Sequence, residues 1–258
     1  MAGSDGIAFV RPGAGHATAS RFWGMVLSPM NRIAPRPGDT MPLDRSSETT
    51  AAGLPWGEFA RCRKPFVERW PSVFRLRLVR DHHQIARELV PGARSVLDVG
   101  ATERLHEAGV RSAWPGVDYR SFDVDRTHPH DYHEFAEIDR QFDLLTLLEV
   151  LEHVQPPVAV EIVRQCFQLT RPGGHLLVSV PNVYRPGVQQ EWTHVAQFPY
   201  MDLAALLSWA GFEVVDGARV FYASTRGWLL HAKLMAPLHR FLSVDFAHSI
   251  VMLCRRPG

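Results

Sequence analysis

The run Glu149-Val150-Leu151-Glu152-His153 carries more chemistry than any other stretch of the chain. On a helical turn, spacings of three and four residues put its two carboxylates and its imidazole on one side. Carboxylates suit magnesium, and imidazoles admit zinc, iron or manganese. The same groups can instead move a proton. Trp192-Thr193-His194-Val195 adds a later histidine. His128, His130 and His133 surround Asp131, but Pro129 divides them and their spacing is not helical, so they read as loop residues. Gly100 follows the apolar run Ser95 to Val99, where a glycine lets a ligand approach the backbone closely. The pattern G-x-G-x-x-G is absent, since positions 102 and 105 are Thr and Leu. A pyrophosphate wants that turn, so NAD, FAD and ATP are disfavoured, and a nucleotide-dependent oxidoreductase with them. Asp123 lies 23 residues beyond Gly100, about where Rossmann-like sites place an acid for ribose hydroxyls; Asp118 and Asp125 compete with it.

Positioning these groups requires strands that end where they stand. Ser95 to Val99, Tyr119 to Val124, Phe142 to Leu148, His175 to Val180, Phe212 to Val215 and Ser249 to Cys254 read as strands. Phe142 to Leu148 (FDLLTLL) is too continuously apolar for a one-sided sheet and is expected to be central and parallel. Pro156-Pro157 opens a helix with the face Ala159, Ile162, Val163, Cys166 and Thr170. A second helix carries Leu203, Leu206, Leu207 and Ala210 and closes at Gly211, where a left-handed cap is needed. A longer helical stretch runs around Trp228 to Leu242. Strands alternating with helices imply a doubly wound α/β fold, which binds ligands beyond the carboxyl ends of its strands. Pro55 to Val90 reads as helical, with Phe74, Leu78, Ile85 and Leu89 on one side and a polar gap at Asp81 and His82.

VLDVG, the acid after the second strand, FDLLTLLEVLEHV, RPGGHLLVSVPN and THVAQFPYMDLAALLSWAGFEVV occur in register from about Arg94 onward. Together they resemble class I S-adenosylmethionine-dependent methyltransferases, and most closely the ubiquinone-biosynthesis-type O-methyltransferase group. The resemblance implies a Rossmann-like, mostly parallel seven-stranded sheet with helices on both faces. It implies S-adenosylmethionine as cofactor and methyl transfer to a hydroxyl of a small-molecule acceptor. It places Asp98 and Gly100 under the methionine part, Asp123 at the ribose, Asp131 and Tyr132 at the adenine, and Glu149 on the methionine and acceptor side. The E-x-x-E-H run with a later histidine also resembles the metal site of small-RNA 2′-O-methyltransferases. On that reading Glu149, Glu152, His153 and His194 hold a divalent cation such as Mg2+, and His153 and His194 face the acceptor. Without metal, the histidine after this strand can serve as a pocket-lining base. Two departures stand out: Thr102 replaces the usual second glycine, and no clear third strand lies between Asp123 and Phe142.

The chain has 258 residues, 28 basic and 27 acidic, for a net charge of +1. That balance disfavours nucleic acid, and hence an RNA-end 2′-O-methyltransferase, as well as anionic membranes. The lost glycine leaves a non-catalytic module of the same fold as a further alternative. Cys62, Cys166 and Cys254 are too few and too scattered for a disulfide framework, which favours a cytoplasmic setting. No apolar run is long enough to span a bilayer. The apolar patch Ile7 to Val10 is cut short by Arg11-Pro12-Gly13 and is not a convincing signal peptide. The expected organisation is a disordered tail over 1–52, a helical cover over 53–92 and the methyltransferase-like domain over 93–258. Aromatics of the cover and of Pro181 to Tyr200 (Trp56, Phe59, Phe66, Trp70, Tyr184, Trp192, Phe198, Tyr200) would close over an acceptor or pack on the sheet edge or in a homodimer.

Overall fold

The computed structural model describes residues 49–50, 52–188, 191–230 and 234–258. The expected disordered tail falls almost wholly outside them. The elements are α1 (Trp56–Arg69), β1 (Arg77–Val79), α2 (Gln84–Leu89), β2 (Ser95–Val99), α3 (Glu107–Ala113), β3 (Asp118–Phe122), β4 (Phe142–Leu148), α4 (Pro156–Leu169), β5 (Thr170–Pro181), α5 (Tyr200–Trp209), β6 (Glu213–Val220), α6 (Thr225–Leu229), α7 (Ala236–Leu242) and β7 (Ser249–Arg255).

The strands form one seven-stranded sheet in the order β1-β6-β7-β5-β4-β2-β3, in which only β7 runs antiparallel to its neighbours. The expected doubly wound, mostly parallel architecture is therefore present. β4 is central, and its unbroken apolar sequence follows from burial on both faces. Leu145 and Leu147 point to one core, with Leu97, Val178, Ile162 and Leu203. Leu144 and Leu148 point to the other, with Val96, Ile85, Val110 and Trp114. Alternation along the strand thus builds three layers. α4 begins with Pro156 and Pro157 in its first turn and turns Ala159, Ile162, Val163 and Cys166 wholly inward. α5 ends at Gly211, whose φ of 104° lets Phe212 N–H donate to the Leu207 carbonyl at 3.1 Å.

Two parts of the N-terminal region differ from the periodicity. Phe74, Leu78, Ile85 and Leu89 do not share one helix: a single 3-10 turn (Val73–Arg75) leads into β1, and α2 starts only at Gln84. β1 pairs in parallel with β6 through Arg77 and Ala218, Leu78 and Arg219, and Val79 and Val220. Sheet pairing at an open edge overrides the helical spacing, and the Asp81–His82 gap marks the turn out of the strand. No strand lies between β3 and β4 among the described residues. That segment holds only a 3-10 turn (Phe135–Glu137) and one bridge between Phe122 and Tyr132. The sheet reaches seven strands by gaining β1 at the opposite edge.

Candidate active site

The chain passes from β2 outward to β3, then returns to the other side of β2 as β4. The order reverses there, and the carboxyl ends of β2 and β4 flank the crevice where open α/β sheets bind ligands. Gly100 follows β2 and Glu149 follows β4. Gly100 has φ 76°, and a side chain there would run into Val150, so the two strand ends close on each other only because position 100 is glycine.

Beyond Gly100 the missing second glycine is replaced by conformation rather than residue type. Thr102 (φ 51°) and Arg104 (φ 59°) take the left-handed geometry that glycine adopts freely, at a cost of roughly 1–2 kcal/mol per residue. Asp123 holds this loop: its Oδ2 accepts Thr102 N–H at 2.8 Å and its Oδ1 accepts Asp125 N–H at 2.9 Å. The Asp123 carbonyl lies 2.8 Å from His133 Nδ1. Asp123 thus stands at the end of β3, largely buried, and shapes the turn that faces the crevice.

Asp98 lies lower in the sheet, 1% exposed, and accepts hydroxyls from Tyr119 at 2.8 Å and Thr146 at 2.6 Å. It ties β2 to both neighbours. Burial, followed by the Asp98 charge, pushes the Tyr119 phenol far above its ordinary range. Asp131 accepts Ser121 N–H and Arg120, each at 2.9 Å, and Arg104 at 3.4 Å. Burial works against its ionisation, but the Ser121 and Arg120 hydrogen bonds outweigh it and lower its pKa. Tyr132 packs beside the stacked rings of Phe122 and Phe135, 4.3 Å apart.

The E-x-x-E-H run does not form one helical face. Glu149 has φ 56°, and only Leu151–His153 makes a 3-10 turn. The left-handed residue swings Glu149 away, so the expected four-residue cluster divides. Glu152, His153 and His194 do come together, each with a ligand-type atom within 4.8 Å of the others. The His153 and His194 rings meet edge to face at 4.8 Å. Glu152 is 2% exposed, and among the described residues neither carboxylate oxygen has a hydrogen-bond partner. Burial, with the Glu149 charge second, holds its pKa well above the usual carboxylate value. A cavity of about 250 Å3, lined by Glu152, Pro181, Val183, Val188, Glu191, His194, Ala196, Gln197 and Phe198, opens beside it.

Glu149 instead joins residues that sequence reasoning left out. Its Oε1 accepts Ser179 Oγ–H at 2.6 Å and faces His82 Nε2 at 3.5 Å. His82 Nδ1 in turn lies 2.6 Å from the Tyr222 hydroxyl. The only trace of this in the sequence was the polar gap at Asp81 and His82. The aromatic cover packs inward in part: Phe66 and Trp70 stack at 5.9 Å, and the Tyr200 hydroxyl donates to the Trp70 carbonyl at 2.8 Å. Trp192, in contrast, is 82% exposed.

A Rossmann-like sheet with a ligand crevice at its switch point defines a cofactor-binding α/β domain. Residues 72–217 match the methyltransferase domain family. That is more than half of the 258 residues, and the chain belongs to this family. It is 32% identical over 124 residues to a "Probable S-adenosylmethionine-dependent methyltransferase" of Mycolicibacterium smegmatis, covering 45% of this chain and 43% of that one. It is 38% identical over 84 residues to the ubiquinone biosynthesis O-methyltransferase of Pseudomonas aeruginosa, covering 32% and 30%. The corresponding Nitrosococcus oceani protein is 32% identical over 145 residues, covering 49% and 55%. The chain thus spans between 30% and 55% of the length of these relatives. A crystal structure of a SAM-dependent methyltransferase from Archaeoglobus fulgidus shares the fold, with a TM-score of 0.50 at 14% identity over 68% of this chain and 95% of that one. Among the described residues no helix is long and apolar enough to cross a membrane.

Proposed function

We propose that this chain is an S-adenosylmethionine-dependent methyltransferase that methylates a hydroxyl of a small-molecule acceptor. The observation that carries the reading is the switch-point crevice, where Gly100, the Asp123-held loop and Glu149 meet between β2 and β4. A cofactor whose binding needs no pyrophosphate turn suits this glycine-poor loop. Membership of the methyltransferase domain family supports the same activity. The relatives named ubiquinone biosynthesis O-methyltransferase support oxygen as the methylated atom. The net charge of +1 favours a small molecule over nucleic acid.

When bound, the cofactor supplies an electrophilic methyl on sulfur. The chain aligns an acceptor with it and removes the acceptor's proton. Alignment of this kind is worth about 7–11 kcal/mol. Asp123 orders the ribose side of the loop, and Tyr132, backed by the core that holds Phe122, lines the adenine side. His153 and His194, beside the 250 Å3 cavity, face the acceptor and take its proton.

The buried Glu152 carboxylate, without a hydrogen-bond partner among the described residues and next to two imidazoles, also fits a divalent cation. With Glu149 elsewhere, the donor set is one carboxylate and two imidazoles, which suits zinc, iron or manganese better than magnesium. Such an ion would lower the pKa of an acceptor hydroxyl.

The test is transfer of labelled methyl from S-adenosylmethionine to a panel of phenols, catechols, amines and carboxylates, before and after dialysis against a chelator. Label appearing only in ethers supports O-methylation. Label confined to amines overturns it. Full activity after chelation overturns the cation.

A further inference from the structure

Five carboxylates stand near the crevice. Asp98 is 1% exposed, Glu152 2% and Asp123 7%, and the side chains of Asp131 and Glu149 are 21% and 32% exposed. Glu149 is therefore the carboxylate that a ligand can reach most freely. Its neighbour Val150 packs against Gly100, which sets it beside the β2 turn. Behind it stands His82, only 6% exposed, three residues past the end of β1. The Tyr222 hydroxyl can donate to His82 Nδ1 at 2.6 Å, which leaves the ring proton on Nε2, facing Glu149 Oε1 at 3.5 Å. Ser179 donates to the same carboxylate oxygen at 2.6 Å. Residues from the ends of β6, β1 and β5 thus fix one carboxylate at the end of β4. The His106 ring, from the turn before α3, stands 5.9 Å from that of His82 and closes the same space.

We propose that His82 is a positioning residue of the cofactor site: through its contact with Glu149 it aims that carboxylate at the ammonium of the cofactor's amino-acid end, which makes the edge strand β1 part of the binding wall. The inference rests on the S-adenosylmethionine reading above. A carboxylate whose Oε1 is engaged by Ser179 and His82 and whose side chain is still 32% exposed is matched to an ammonium through a charge-assisted hydrogen bond. An imidazole that also accepts from Tyr222 fixes the carboxylate's direction without occupying the crevice.

The experiment is calorimetry with S-adenosylhomocysteine and with 5′-methylthioadenosine, which keeps the nucleoside and thioether but lacks the amino-acid end. The wild type is expected to prefer S-adenosylhomocysteine. His82→Ala is expected to weaken that ligand about tenfold while leaving 5′-methylthioadenosine within twofold. His82→Gln, whose amide can still donate to Glu149, is expected to restore most of the loss. Equal weakening of both ligands, or no weakening of either, overturns the proposal. If His82→Ala does not fold, Glu149→Gln reads the same contact, with the same selective loss expected and the same results against it. A wild type that binds neither ligand overturns the cofactor reading itself.

Discussion

Glu149 and Glu152 leave the same strand three residues apart, yet they end in opposite surroundings. Glu149 turns through a left-handed backbone to meet His82, just beyond β1, and Ser179 of β5. Burial disfavours its ionisation, but the His82 contact and the Ser179 and Ser249 hydrogen bonds outweigh it, and its pKa is lowered. Glu152 turns the other way, into a buried site with His153 and His194, and its pKa is raised by burial first and by Glu149 second. One carboxylate is tuned to stay charged and the other to hold a proton or a cation. On the proposed function, neighbouring acids driven apart in this way would divide the labour: Glu149 and His82 on the cofactor side, Glu152, His153 and His194 on the acceptor side.

Neutralising Glu152 tests whether the two clusters are separate. Glu152→Gln is expected to cut S-adenosylhomocysteine release with the best phenolic acceptor by about a thousandfold, with S-adenosylhomocysteine affinity held within twofold. If affinity falls along with turnover, the two clusters are not separate.

The β1-side cluster is also expected to make the fold acid-sensitive through His83, which is buried next to His106. Burial first, then the charges of His106 and His82, lower its pKa from 6.5 to about 4. Between those values the unfolded chain binds the extra proton, so this contribution is present above pH 6.5 and is lost as pH falls toward 4. The loss is about 3 kcal/mol. Urea unfolding across that range should show it, and His83→Gln should flatten the slope. An unchanged slope would place the acid sensitivity elsewhere.

On the other side, saturating zinc or manganese at a hundred times its dissociation constant should stabilise the wild type by about 2.7 kcal/mol. His194→Ala should abolish the shift in Tm. A wild type that does not respond to either metal leaves His153 and His194 as proton acceptors alone.

The smallest effect belongs to the loop that follows Gly100. Thr102→Gly relieves a left-handed threonine and should stabilise the fold by up to about 1 kcal/mol, less the added freedom of the unfolded chain. S-adenosylhomocysteine affinity should not change. A tenfold loss would show that the Thr102 hydroxyl, which donates to the Gly100 carbonyl at 3.3 Å, matters beyond backbone shape.

What could be read from the sequence follows how local each signal is. The unbroken apolar run of β4, the proline start of α4 and the glycine cap of α5 are written within a few residues, and each element stands where they place it. β1 is not local: its partner β6 is some 140 residues away, and its own spacing mimics a helix. The same distance hid the His82–Tyr222 contact. The E-x-x-E-H spacing groups Glu149 with Glu152 and His153 on one helical face, and the structure parts them, because no pattern of residue types signals that Glu149 takes a positive φ. The replaced glycine at Thr102 signals a departure in this loop but not its shape, which depends on the left-handed backbone of Thr102 and on Asp123 some 21 residues away.

On the proposed function a cofactor sits in the crevice between β2 and β4, over the loop that Asp123 holds. Calorimetry with S-adenosylhomocysteine on the wild type and on Asp123→Ala reads this contact. The wild type is expected to bind one ligand per chain, and the variant to bind about a hundredfold more weakly. A wild type that gives no binding heat, or a variant that binds as tightly as the wild type, overturns the cofactor site.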